Sequence, residues 1–154
     1  MTTITLTPAR RLRILVTLGA LSAVGPLSLD LYLPVLPELA DDLGTTDALG
    51  QLTISLCMVG LAAGQLFAGP LSDRTGRRVP LLTGAVLYAV ASALCALAPG
   101  IWALIALRLL QGLAGAAALV IARAIVRDLF EGAEAARVFS LMVLVTGLAP
   151  ILAP

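Results

Sequence analysis

The chain has 154 residues, of which 60% are hydrophobic and only 12% are charged, and its mean hydropathy is +1.04. Ten basic residues against nine acidic ones leave a net charge of +1, so nothing in the overall charge points to a nucleic acid or another polyanion as partner. All ten basic residues are arginine and histidine is absent, which excludes a Ser-His-Asp triad, a His-Glu zinc site and an imidazole pH switch.

Long charge-free runs of apolar residues indicate a membrane protein and locate its spans. A spanning helix needs about 20 mostly apolar residues. Residues 48–72 and 79–107 carry no charge, and Pro99-Gly100 divides the second run because this pair is a strong turn signal. The predicted fold is an all-α integral membrane protein with a cytoplasmic tail at residues 1–13 and a membrane region at 14–154. Its spans, numbered 1 to 5, are predicted at residues 14–37, 49–71, 79–98, 101–126 and 138–154.

Span 1 contains a single charge, Asp30. It is longer than the apolar region of a secretory signal, and four further spans follow it, so we expect it to be retained. Pro26 within the span, and Pro34 and Pro37 near its end, predict a kink or unwinding of the helix.

The arginines outside the spans determine the predicted orientation. They lie in the tail, in the link between spans 2 and 3, and after span 4, and they are Arg10, Arg11, Arg13, Arg74, Arg77, Arg78, Arg127 and Arg137. The link between spans 1 and 2 has four acidic residues and no basic one. The positive-inside rule therefore predicts a cytoplasmic N-terminus.

The link between spans 2 and 3 reads Gly69-Pro-Leu-Ser-Asp73-Arg74-Thr-Gly76-Arg77-Arg78. Gly69-Pro70 is predicted to end span 2, Gly76 permits a tight turn, and the arginines would hold the link at the anionic inner leaflet. Holding the link at the membrane surface needs only basic residues, however, and does not need an aspartate between two glycines. The link resembles the signature loop of the major facilitator superfamily, which is written Gly-x-Leu-(Ala/Ser)-Asp-Arg-x-Gly-Arg-(Arg/Lys).

Span 4 carries a second motif, Arg108-Leu-Leu-Gln111-Gly112-Leu-Ala-Gly115. It resembles the fourth-helix motif of that superfamily, an intramembrane arginine followed by Gln-Gly and small residues. The small residues of this motif, and Gly60 and Gly64 in span 2, are also common in any helical membrane bundle because they let backbones approach closely.

Three further segments narrow the resemblance. Asp30-Leu-Tyr32-Leu-Pro34-Val-Leu-Pro37 at the end of span 1 and Ala122-Arg123-Ala-Ile-Val-Arg127-Asp128 after span 4 are similar to the Bcr/CflA drug-resistance branch. The closing Gly147-Leu-Ala-Pro150-Ile-Leu-Ala-Pro154 resembles the start of the antiporter motif of the fifth helix. The resemblance covers the chain from about residue 30 to residue 154.

This resemblance implies a secondary transporter of the bacterial inner membrane, with two six-helix halves around a central cavity, that exports small drugs in exchange for protons. About four and a half helices of the N-terminal half are present, so the chain is expected to be a fragment that needs the missing C-terminal half. Its expected partners are the lipid bilayer, protons and a small-molecule drug, with no cofactor, metal or enzymatic activity. The link between spans 2 and 3 is expected to act in conformational exchange, with a partner for Asp73 in the other half.

Asp30 and Arg108 are the predicted residues of proton coupling. A charged side chain inside the hydrocarbon costs at least about 2.5–3.5 kcal/mol, so each is a functional candidate. At about 1.5 Å per residue, Asp30 lies about 24 Å along span 1 and Arg108 about 10 Å into span 4, which enters from outside, so the two depths allow a pair. The carboxyl of Asp30 can be neutralised while arginine stays charged, which makes Asp30 the better proton carrier. The alternative is that Asp30 lies at a helix end in water and Arg108 extends to the surface.

A non-transporting membrane polypeptide, or a helix bundle that associates with a partner, is the alternative function. An intramembrane enzyme has less support, because the sequence contains no nucleophile–base pair or metal-ligand cluster. Further hydrophobic segments encoded in frame after Pro154 would favour transport, and a genuine stop codon would favour the alternative.

The orientation has a direct test. A cysteine at position 45 should react with a membrane-impermeant reagent in intact cells, and a cysteine at position 76 should not, because eight arginines lie on the side of position 76 and none on the other. The reverse labelling pattern would show that the orientation is wrong.

Overall fold

The computed structural model describes residues 8–152, with side chains for residue 9 and residues 12–148. This part of the chain consists of helices joined by short turns and contains no strand, which confirms the predicted all-α fold. Its elements in chain order are α1 (Pro8–Asp30), a 3₁₀ turn (Leu33–Val35), α2 (Leu36–Asp42), α3 (Asp47–Thr75), α4 (Arg78–Ala96), α5 (Ile101–Leu129) and α6 (Gly132–Leu152).

Four segments of the described chain are long and apolar enough to cross a membrane. They are Leu12–Asp42, Asp47–Thr75, Arg78–Ala96 and Ile101–Leu129, and they correspond to predicted spans 1 to 4. Helix α6 covers predicted span 5 as far as residue 152, the last described residue, but begins six residues earlier than predicted, at Gly132, whose φ is +57°.

The first span differs from its prediction in both bounds. Its helix begins at Pro8, so part of the predicted tail is helical, and it ends at Asp30 rather than continuing to residue 37. Pro34 is the physical reason for the early end, because a proline ring clashes with the carbonyl four residues earlier and lacks an N–H to donate to it. Pro34 and Pro37 instead occupy the first turns of the 3₁₀ turn and of α2, where no N–H is needed.

The end predicted for span 2 at Gly69-Pro70 is also wrong. Pro70 lies inside α3, which continues to Thr75. The helix ends at Gly76, whose φ of +84° is a left-handed conformation that glycine adopts without strain. The turn predicted at Pro99-Gly100 is confirmed, since it separates α4 from α5.

Helix α5 is the centre of the bundle, with α3 and α4 packed against it and α1 paired with α6. The contact between α3 and α5 is the closest, because glycines remove the side chains between the two backbones. A Cβ on Gly112 would overlap the carbonyl of Cys57, and a Cβ on Gly64 would lie 2.6 Å from the carbonyl oxygen of Leu113. The small residues of spans 2 and 4 therefore do bring these two backbones into contact.

A substitution at Gly112 tests this contact. We expect Gly112→Ala to lower the free energy of unfolding by about 1–3 kcal/mol, the usual cost of overpacking, because the backbone of α3 must move. Gly25→Ala is the matched control, since no heavy atom outside its own helix backbone and chain neighbours lies within 4 Å of a Cβ at Gly25. Thermal unfolding of the purified complete protein measures both, and equal losses would contradict the importance of the contact.

Candidate functional site

A cluster of buried and half-buried polar side chains lies where the first span meets α3, α4 and α5. Its centre is Arg108, which is only 7% exposed. Hydrogen bonds and one ring contact join the members of the cluster, which are Ser28, Tyr32, Thr53, Tyr88, Ser92, Arg108 and Gln111.

The guanidinium of Arg108 is held by an aromatic ring and an amide. Its central carbon lies 3.6 Å from the centroid of the Tyr32 ring, well within the range of a cation–π interaction. Its Nη1 donates a hydrogen bond of 3.0 Å to Oε1 of Gln111. Its Nε is buried and has no hydrogen-bond partner among the described residues. The Nε–H group of Arg108 is therefore available to a further acceptor.

Gln111 carries the connection from Arg108 to α4. Its Nε2 donates to the hydroxyl of Ser92 at 2.7 Å, and that hydroxyl donates to the backbone carbonyl of Tyr88 at 2.8 Å. The phenol of Tyr88 shares a hydrogen bond with Ser28 of α1. The network thus runs from α5 through α4 to α1.

Tyr32 forms the corresponding connection to α3. Its hydroxyl lies 2.9 Å from Oγ1 of Thr53, and Thr53 donates to the carbonyl of Gly50 at 2.6 Å. Since the hydrogen of Thr53 is used in that bond, Tyr32 donates to Thr53. The ring that covers Arg108 is therefore fixed in place by a fully buried threonine.

Asp30 and Arg108 do not form the predicted pair. Within residues 8–152 no ion pair joins them, and Asp30 is the partly buried last residue of α1. Helix α1 is continuous as far as Asp30, but similar depth does not make two side chains meet, and the side chain on the guanidinium is that of Tyr32, two residues later.

The remaining residues of the span 4 motif have packing roles. Gly112 allows the contact with α3, and a Cβ on Gly115 would lie 3.2 Å from the ring of Tyr88. Tyr32, Thr53, Tyr88 and Ser92 were not among the predicted site residues. The sequence signal for these four residues is that each carries a hydroxyl group in an otherwise apolar span. That signal does not show which hydroxyl groups meet in the folded bundle.

A second cluster, the cytoplasmic link cluster, consists of Ser72, Asp73, Arg77 and Asp128. Arg77 donates from Nη1 to Asp73 at 2.5 Å and to Ser72 at 2.7 Å. It also donates from Nε and Nη2 to the two carboxylate oxygens of Asp128, at 3.0 and 3.5 Å. Arg77 therefore connects the turn between α3 and α4 to the last turn of α5. It thereby joins the link motif at residues 69–78 to the segment at residues 122–128.

Asp73 has a partner within the chain, contrary to the expectation that its partner lies only in the other half. This partner is Arg77, although the Asp73 side chain remains 64% exposed. The hydrogen bond to Asp128 raises the pKa of Arg77, so Arg77 keeps its charge at every physiological pH. Within the described residues Arg74 and Arg78 are exposed and take part in no ion pair.

The predicted residues of the span 5 motif are only partly described. Gly147 is exposed in α6, and a Cβ there would meet no atom within 4 Å. Pro150 lies within α6, and Pro154 lies outside the described residues.

Comparisons with known proteins agree with these motifs. The family model of the Major Facilitator Superfamily matches residues 18–154. An uncharacterised MFS-type transporter of Bacillus subtilis (strain 168), YdgK, is 49% identical over 148 residues, which cover 96% of this chain and 37% of that protein. The multidrug resistance protein MdtL of Escherichia coli O139:H28 (strain E24377A / ETEC) is 39% identical over 142 residues, which cover 92% of this chain and 36% of that protein. The chain thus spans little more than a third of the length of these relatives.

Proposed function

The chain belongs to the major facilitator superfamily, and on this premise we propose that it is the N-terminal part of a proton-coupled exporter of small drugs, of the Bcr/CflA type. The name of MdtL, multidrug resistance protein, supports drugs as the substrate class. The proposed location is the bacterial inner membrane, with the N-terminus in the cytoplasm. The distribution of arginines between alternate links supports this orientation.

The free N–H group of Arg108 is the observation that carries this proposal. A charged side chain in the hydrocarbon is costly, and a buried donor without an acceptor costs about 1–3 kcal/mol more. A helix bundle that only needed to be stable would fare better with an apolar residue at this position. Arg108 is therefore held ready for an acceptor that arrives during a transport cycle.

Asp30 is the proposed acceptor in one half of that cycle. It lies two residues before Tyr32, the residue that covers Arg108 in this structure. A carboxylate can gain and lose a proton under conditions in which a guanidinium cannot. In the proposed cycle, deprotonated Asp30 accepts from Arg108 and permits drug binding from the cytoplasm. Protonation of Asp30 from outside returns Arg108 to Tyr32 and favours release of the drug.

Drug binding itself requires the rest of the protein. In the proposed transporter the two halves rock against each other around a site near the middle of the membrane. Sites for apolar drugs use few polar groups within mostly apolar walls. The small polar cluster around Arg108, within spans that are otherwise mostly apolar, supports that kind of site.

Export by carboxylate variants tests the coupling. We expect the complete protein with Asp30→Asn to lose uphill, gradient-driven export while it still allows downhill movement of drug, because its proton carrier is gone. Arg108→Ala should lose both activities. Asp42→Asn, at the exposed end of α2 in the same span, is the matched control and should export normally. The measurement is drug efflux from proteoliposomes with an imposed proton gradient and with equal amounts of inserted protein. Full gradient-driven export by Asp30→Asn would remove Asp30 from the coupling mechanism.

The cytoplasmic link cluster is proposed to act in conformational exchange. Arg77 holds three groups of this chain, while much of the Asp73 carboxylate faces solvent and remains available to the other half of the transporter. An exposed ion pair contributes only about 0–1 kcal/mol, so Asp73 can exchange Arg77 for another partner at low cost.

Kinetics of an Asp73 variant separate this role from substrate binding. We expect Asp73→Asn to lower the rate of drug export with little change in drug affinity, because the variant affects the change between states and not the site. Export rates and equilibrium drug binding by the complete protein measure the two quantities. Weaker binding together with an unchanged rate of interconversion would contradict the proposed role.

A further inference from the structure

Tyr32 enters the bundle from a bend in the chain rather than from a helix. It lies between the end of α1 and the 3₁₀ turn, where its N–H donates to the carbonyl of Leu29 at 3.2 Å. The side chains on either side of it, those of Leu31 and Leu33, are exposed, whereas Tyr32 is only 8% exposed. Since its neighbours remain at the surface, the buried position of Tyr32 depends on the contacts of its own side chain.

Two contacts hold the side chain of Tyr32 in this position. The face of the ring lies on the guanidinium of Arg108, and the hydroxyl at the tip of the ring donates to Thr53. Thr53 is fully buried, and its own hydrogen is directed to the carbonyl of Gly50, so its oxygen can only accept from Tyr32. The hydrogen bond to Thr53 therefore fixes the end of the ring that is farthest from the backbone.

The attraction between the ring and the guanidinium does not require the hydroxyl of Tyr32. A phenylalanine ring would present the same kind of face to a cation. A buried hydroxyl is costly unless it has a hydrogen-bond partner, and Thr53 is the partner that the bundle supplies. The hydroxyl thus contributes a fixed position of the ring over Arg108, in addition to the attraction itself.

We propose that Thr53 is a positioning residue, which holds Arg108 in its arrangement with Tyr32 and thereby sets how firmly the transporter retains its drug. This proposal rests on the function proposed above, in which Arg108 alternates between Tyr32 and deprotonated Asp30. The arrangement with Tyr32 is the one that releases drug in that cycle. Without an acceptor at position 53, the Tyr32 hydroxyl would be buried and unpaired. This change disfavours the releasing arrangement and shifts the population toward the one that binds drug.

Drug binding and export by the complete protein test this role. We expect Thr53→Val to bind drug about tenfold more tightly and to export it about tenfold more slowly, because drug release becomes unfavourable. Thr53→Ser keeps the hydroxyl and should retain the wild-type affinity and rate. Thr83→Val is the matched control, since the hydroxyl of Thr83 donates to the carbonyls of Val79 and Pro80 in its own helix. Equilibrium binding and efflux from proteoliposomes, with equal amounts of inserted protein, measure the two quantities.

A double substitution distinguishes the hydrogen bond from packing. In combination with Tyr32→Phe, Thr53→Val should have little further effect, because no hydroxyl is then left without an acceptor. The double variant should therefore bind less tightly and export faster than Thr53→Val alone. An effect of Thr53→Val that is the same with and without Tyr32→Phe would overturn the proposal. Equal defects in Thr53→Ser and Thr53→Val would also overturn it, because they would show that the methyl group and not the hydroxyl matters.

Asp30→Asn, measured in the same assays, separates this proposal from the function on which it rests. Full gradient-driven export by Asp30→Asn would overturn both. Loss of gradient-driven export by Asp30→Asn, together with unchanged binding and export by Thr53→Val, would overturn the positioning role alone. Weaker drug binding by Thr53→Val would do the same, because it would show that Thr53 supports the arrangement that binds drug.

Discussion

The close backbone contact between α3 and α5 is the constraint on which the rest of the structure depends. Gly112 lies against the backbone of Cys57, so the two helices meet without side chains between them. Arg108 and Gln111 lie within one turn of Gly112, and Thr53 lies one turn before Cys57. The contact therefore sets the distance across which Tyr32 joins Thr53 and covers Arg108. A wider separation of the helices would leave the guanidinium without these neighbours.

The charge of Arg108 is met by weak partners rather than by a carboxylate. The face of Tyr32 and the amide oxygen of Gln111 each stabilise a cation, but neither has the strength of a buried ion pair. Because no strong pair has to be broken, the guanidinium can change partners at low cost. A half-satisfied polar network is a poor way to stabilise a bundle.

Three arginines near the turn between α3 and α4 have different roles because they have different partners. Arg77 contacts two carboxylates and a hydroxyl, so it connects helices. Arg74 and Arg78 are exposed on either side of it and take part in no ion pair among the described residues. The difference follows from Asp128, which α5 brings to Arg77 from 51 residues further along the chain.

The sequence by itself determined the class of the fold and the order of its spans, because hydrocarbon admits only long apolar runs whose backbone groups bond within their own helix. It also placed Arg108 in the membrane and located the turns at Gly76 and Pro99-Gly100. Only the tertiary structure decided which side chains meet. Depth along a helix follows from a constant rise per residue, but the direction of a side chain depends on where each helix ends and what packs beside it. Asp30 and Arg108 were predicted at similar depths, yet Tyr32 and not Asp30 covers Arg108.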